Sequence, residues 1–256
     1  MPMSLQRNVR EKERRMIRPL MAPSLMCMDP MNVARDISVM DEHFDLYHVD
    51  IMDSHFCPNM ALTPQFANTL HKHSSLPMDV HLMVENPVMF TEMFELGPDD
   101  CLSYQAETVE RNAFRLYERT RQFGVKFGIV LSPMTPLSAI ETICERIDIL
   151  TIMTIDTGFA GQKVIPETLA KIEAARKLCE NRGCHFKIQV DGGVKQATFK
   201  TFQQAGADIL IVGKSGLFSL DSSLPLAIEK YKLAFKAETG IDLDGPDEPE
   251  PLRFCA

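Results

Sequence analysis

Between residues 18 and 238, strand-like and helix-like segments alternate eight times. This repeat narrows the possible folds of the 256-residue chain more than any single motif. Parallel strands need long crossovers rather than tight turns, so the alternation implies a parallel sheet covered by helices. Strands are expected at 20–25, 44–52, 78–84, 101–105, 125–131, 147–155, 186–190 and 208–212. Helices are expected at 30–40, from Thr63-Pro64, from Asn86-Pro87, at 110–123, from Thr135-Pro136, and at 166–179, 196–204 and 224–238. Thr63 suits a helix cap and Pro64 the first turn. Eight such units in this length predict an α/β fold with a single (β/α)8 TIM barrel over 18–240. An open doubly wound sheet is the alternative, but no strand is followed by GxGxxG.

Side chains alternate between the two faces of a strand. In His48-Val49-Asp50-Ile51-Met52, His48, Asp50 and Met52 share one face and the aliphatics the other. The pattern returns with His81 and Met83 opposite Val80, Leu82 and Val84, and with Gln189 and Asp191 opposite Ile188 and Val190. In a barrel the polar face points inward, and the catalytic mouth forms at the C-terminal strand ends. His48, Asp50, His81 and Asp191 therefore converge there. Mixed imidazole and carboxylate ligation suits one divalent ion of the Zn, Mn, Fe or Co type. Asp50 and Asp191, on opposite sides of the mouth, could also move protons on two faces of a substrate.

Glycines recur in three loops at the same end: Gly158-Phe159-Ala160-Gly161, Gly192-Gly193 and Gly213-Lys214-Ser215-Gly216. Backbone N–H groups exposed in such loops favour an anion, and barrel enzymes commonly hold phosphate after strands seven and eight.

The formal charge of −8 argues against a nucleic-acid partner. No apolar run approaches the roughly 20 residues that span a bilayer, which argues against a membrane role. Seven cysteines without a CxxC pair indicate neither a disulfide framework nor a structural zinc site, and suit buried free thiols in a cytoplasmic protein. Residues 1–17 carry Arg7, Arg10, Lys12, Arg14 and Arg15 with no apolar core behind them, and read as a flexible arm rather than a secretory signal. The acidic, proline-rich stretch 241–256 is expected to be a disordered tail.

Pro23-Ser24-Leu25, His48-x-Asp50-x-Met52-Asp53, Pro58-Asn59, His81-Leu82-Met83-Val84, Gly158-Phe159-Ala160-Gly161-Gln162 and Val190-Asp191-Gly192-Gly193 together resemble the ribulose-phosphate 3-epimerase family. Within it, residues 24–29, Ala160 and the stretch 213–218 are most similar to members acting on D-allulose 6-phosphate. The resemblance implies a homo-oligomeric isomerase that inverts C3 of a ketose phosphate through a cis-enediolate. It assigns one divalent metal ion to His48, Asp50, His81 and Asp191, and acid–base catalysis to Asp50 and Asp191. It implies substrate contacts for Ser24 and His81, and phosphate binding along Gly158 to Gly161, Gly192-Gly193 and Gly213 to Gly216. The preferred pair would be D-allulose and D-fructose 6-phosphates, with ribulose and xylulose 5-phosphates as the alternative.

Four positions depart from the family pattern. Ser54 stands where glycine is usual, Thr157 replaces a proline, Gln105 a histidine, and Lys214 a serine or threonine. These changes leave open a sugar-phosphate-binding protein without turnover, and the same barrel could also host a metal-dependent hydrolase.

Overall fold

The computed structural model describes residues 18–245. The expected N-terminal arm and the tail from residue 246 onward lie outside the described residues. Eight parallel strands run in sequence order: β1 (Leu20–Pro23), β2 (Tyr47–Met52), β3 (Met78–Met83), β4 (Cys101–Gln105), β5 (Lys126–Leu131), β6 (Ile149–Met153), β7 (Lys187–Asp191) and β8 (Ile209–Val212). From β2 to β8 each strand bonds to its sequence neighbour, and β1 pairs with β8, so the sheet curls into the expected barrel. The β1–β2 seam is closed at the top by a bridge between Ser24 and His48.

The helices cover the outside: α1 (Val33–Met40), α2 (Pro64–His73), α3 (Pro87–Thr91), α4 (Ala106–Val109), α5 (Ala113–Gln122), α6 (Thr168–Arg182), α7 (Gln196–Ala205) and α8 (Leu224–Thr239). Thr63 caps α2 by accepting the Phe66 N–H. The crossover expected as one helix at 110–123 is two, α4 and α5. Between β5 and β6 the helix expected from Thr135-Pro136 is absent, and two 3₁₀ turns, Leu137–Ile140 and Cys144–Arg146, make the crossing. The β-branched Ile140, Thr142 and Ile143 weaken helix propensity in this short segment. Residues 241–245, assigned from sequence to the tail, pack on the barrel. Ile241 and Leu243 are buried, and the Leu243 carbonyl accepts from the Arg18 guanidinium.

Outward-facing Val49, Val80, Leu82, Leu102, Phe127, Leu150, Ile188 and Leu210 join the main apolar core beneath the helices. The inward face is layered. Leu20, Leu46, Cys101, Ile149 and Ile209 form an apolar floor. Above it sit Asp79, Ser103, Thr151 and Gln189, all fully buried and polar. The upper layer opens to the mouth. Among the described residues no helix is long and apolar enough to cross a membrane.

Candidate active site

Register places the four expected ligands together. Pairing of His48 with Asp79 and of Asp50 with His81 staggers β2 against β3, and Asp191 ends β7 across the mouth. One ligand atom from each of His48, Asp50, His81 and Asp191 lies within 4.8 Å of the other three. His48 Nε2 is 3.3 Å from Asp50 Oδ1 and 3.8 Å from Asp191 Oδ2. His81 Nδ1 is 3.4 Å and 4.0 Å from the same two oxygens. Both nitrogens are buried and lack a hydrogen-bond partner. A buried polar atom left unpaired costs about 1–3 kcal/mol, so two of them aimed at one point, with two carboxylates, fit a bound cation. The N₂O₂ donor set suits Zn, Mn, Fe or Co better than a hard all-oxygen ion.

The two carboxylates are driven in opposite directions. Burial alone would raise Asp50, but His48 and His81 beside it hold it well below the ordinary carboxylate range. Burial raises Asp191, and the negative Asp50 adds to the rise against the pull of His48 and His81. Burial would lower His48, yet Asp50, Asp79 and Asp191 hold its imidazole above the ordinary histidine range. Loading a cation favours ionised carboxylates and neutral imidazoles.

Ser24, expected to touch substrate, is buried and donates its hydroxyl to Asp50 Oδ2 at 2.9 Å. Gln105 replaces the family histidine without leaving a gap. Its side-chain amide lies 2.8 Å from His81 Nε2 and accepts from Ser132 Oγ at 3.3 Å. Sequence reasoning missed Asp79, which bonds to His48 Nδ1, although it shares the inward face of β3 with His81.

Above the candidate ligands opens a cleft walled by Asp50, Asp191 and all three glycine loops. Gly158, Phe159, Ala160 and Gly161 line one side; Gly192, Gly193, Gly213, Lys214 and Ser215 line the other. Gly193 has φ +60°, and a Cβ there would lie 2.2 Å from Val164 Cγ2, so a larger residue would be strained and would have to displace Val164. Gly216 is not in the cleft wall. A Cβ there would meet the Val194 carbonyl at 2.3 Å, so its role is close packing of the loop. Met26 and Met153 join the expected Met52 and Met83 in the lining. The Met153 signal was the inward register of β6. Lys214 is the only cation among the described residues that line the cleft, which also carries Asp50, Asp156 and Asp191.

Two loops are tied across the mouth by Asn59 Nδ2, which donates to the Gly158 carbonyl at 2.6 Å. Ser54 adopts φ +64°, the one positive value among described residues other than glycine.

The model of the ribulose-phosphate 3 epimerase family matches residues 20–218. The chain is 34% identical over 196 residues to ribulose-phosphate 3-epimerase of Bacillus subtilis (strain 168), covering 76% of this chain and 90% of that protein. It is 36% identical over 201 residues to the Synechocystis protein of the same name, covering 77% and 86%. The similarity to a solved structure of the tryptophan synthase A-subunit from Pyrococcus furiosus has a TM-score of 0.60. It covers 87% of this chain and 98% of that one at 15% identity, and speaks to the barrel fold alone.

Proposed function

Since the chain belongs to the ribulose-phosphate 3-epimerase family, we propose that it inverts C3 of a ketose phosphate by passing protons between substrate and two carboxylates, Asp50 and Asp191. What carries this reading is their opposed placement, on β2 and β7, around one cluster of ligand atoms. A carboxylate on one face removes the C3 proton, made acidic by the neighbouring carbonyl, leaving a cis-enediolate. The carboxylate on the opposite face returns a proton and so inverts the centre. A divalent ion held by His48, Asp50, His81 and Asp191 would supply stabilisation of the negative charge that develops on the substrate oxygens.

The remaining roles belong to the chain itself. Ser24 orients Asp50 through its hydroxyl. Met26, Met52, Met83 and Met153 line the reacting space with side chains that neither donate nor accept protons. Gly158 to Gly161, Gly192-Gly193 and Gly213 to Ser215 offer backbone to the phosphate, with Lys214 as counter-charge.

Ribulose phosphate is the leading substrate, supported by the names of the curated relatives. Allulose 6-phosphate is the second reading, supported by residues 24–29, Ala160 and 213–218. Comparing kcat/KM for the two sugars decides between them. Deuterium incorporated at C3 from deuterated water is expected. Binding without exchange would leave a sugar-phosphate-binding protein, and release of inorganic phosphate would leave a hydrolase. The reading includes a cytoplasmic homo-oligomer without a nucleic-acid partner; sedimentation analysis tests the subunit count.

A further inference from the structure

Asp79 lies one layer beneath the mouth, fully buried, and does not line the substrate cleft. Three groups converge on its carboxylate. Ser103 Oγ donates to Oδ1, Gln189 Nε2 donates to Oδ2 at 2.5 Å, and His48 Nδ1 stands 3.1 Å from Oδ2. Gln189 is itself held by Thr151 Oγ1 at 2.9 Å. Ser103 reaches Asp79 because the neighbouring strand carries Gly128, where a Cβ would lie 2.0 Å from the serine hydroxyl. Side chains from β2, β4, β6 and β7 thus fix one carboxylate in one orientation.

An ionised carboxylate only accepts hydrogen bonds. With Ser103 and Gln189 donating to it, the contact to His48 requires a proton on Nδ1. That leaves the lone pair of the neutral ring on Nε2, the atom that is buried, unpartnered and 3.3 Å from Asp50 Oδ1. We propose that Asp79 is a positioning residue that holds His48 as its Nδ1–H tautomer and aims Nε2 at the cation site. The proposal rests on the metal-centre reading above. A carboxylate behind a ligand imidazole also makes it a stronger donor, and loss of such a partner typically weakens metal binding about 10–100-fold. His81 differs, since its far nitrogen faces the neutral amide of Gln105.

The test is Zn(II) affinity by chelator competition on the full-length protein, wild type against Asp79→Asn. A loss of about 10–100-fold is expected. Once the site is saturated with Zn(II), KM should stay near the wild-type value, because Asp79 does not line the cleft. Nitrogen-15 NMR of the zinc-loaded wild type should show the His48 proton on Nδ1. Should Asp79→Asn not fold, Ser103→Ala carries the test with a smaller loss of affinity expected. Unchanged Zn(II) affinity in the folded variant, or a His48 proton on Nε2, overturns the proposal alone. A wild type that binds no Zn(II), Mn(II) or Co(II) overturns the metal-centre reading, and the proposal with it.

Discussion

Asp50 and Asp191 share His48 Nε2 as a common neighbour, 3.3 Å from one carboxylate and 3.8 Å from the other, although 141 residues separate them in the chain. The arrangement gives each acid its own side of the mouth and one shared anchor. Replacing either with asparagine removes proton transfer on one face only. Asp50→Asn and Asp191→Asn are each expected to lower epimerisation by about 10²–10⁴-fold. Each should retain exchange of the C3 proton with deuterated water from one epimer and lose it from the other. Because both residues are also candidate ligands, the variants need assay with excess Zn(II) and elemental analysis. Equal exchange from both epimers in either variant would remove that residue from the acid–base pair.

Ser54 occupies the left-handed region at φ +64° in an exposed turn, at the position where the family pattern has glycine. A residue with a Cβ pays about 1–2 kcal/mol there, while a glycine adds roughly 0.4–1 kcal/mol of unfolded-state entropy. Ser54→Gly is therefore expected to stabilise the protein by roughly 0.5–1 kcal/mol, the difference between those terms. A denaturant midpoint that stays the same or falls would contradict this. Turnover should be unaffected, since Ser54 is not among the residues lining the cleft.

Asp53 anchors the same turn. Its Oδ1 accepts from the His55 and Phe56 N–H groups at 2.8 and 2.9 Å, and its Oδ2 from Glu85 N–H at 2.8 Å. Burial would raise this carboxyl, but those three N–H groups hold it below the ordinary range. A carboxyl lowered in the folded state stabilises it above the unfolded pKa of about 3.9, and the contribution disappears as pH falls through the folded value. Asp53→Asn should thus be less stable than wild type at pH 7, with the gap narrowing below about pH 4. Urea unfolding across pH 7 to pH 3 measures it, and a gap independent of pH would exclude the linkage.

The barrel and the four convergent candidate ligands are legible because strand period two is strict. Once His48, His81 and Asp191 are placed inward, register does the rest. Asp79 was passed over although that period places it on the face of His81. Its function depends on Ser103 and Gln189, which come from strands 24 and 110 residues away and carry no local pattern. The β5–β6 crossover misled for a different reason. Thr135-Pro136 is a sound helix-start signal, but the ten residues 137–146 fold as two 3₁₀ turns over the short path between strands. Ile241 and Leu243 were absorbed into an acidic composition, and their burial depends on the barrel surface beneath them.

Lys214 brings the cleft's one cation to a wall that otherwise carries Asp50, Asp156 and Asp191. With Asp50 and Asp191 facing a bound cation, Asp156 is the uncompensated carboxylate near a phosphate dianion, and a lysine where the family has serine or threonine offsets it. The side chain is exposed, which weakens its pull through solvent screening. A charge-assisted contact of about 1.4 kcal/mol corresponds to a tenfold change in binding. Lys214→Ser is accordingly expected to raise KM for the ketose phosphate about tenfold while kcat changes little, because phosphate binding is the same in ground and transition states. The difference should shrink as ionic strength rises and the Debye length falls below the reach of the side chain. A lower KM in Lys214→Ser would mean that the lysine crowds the phosphate loop, and a KM difference insensitive to salt would assign its effect to shape.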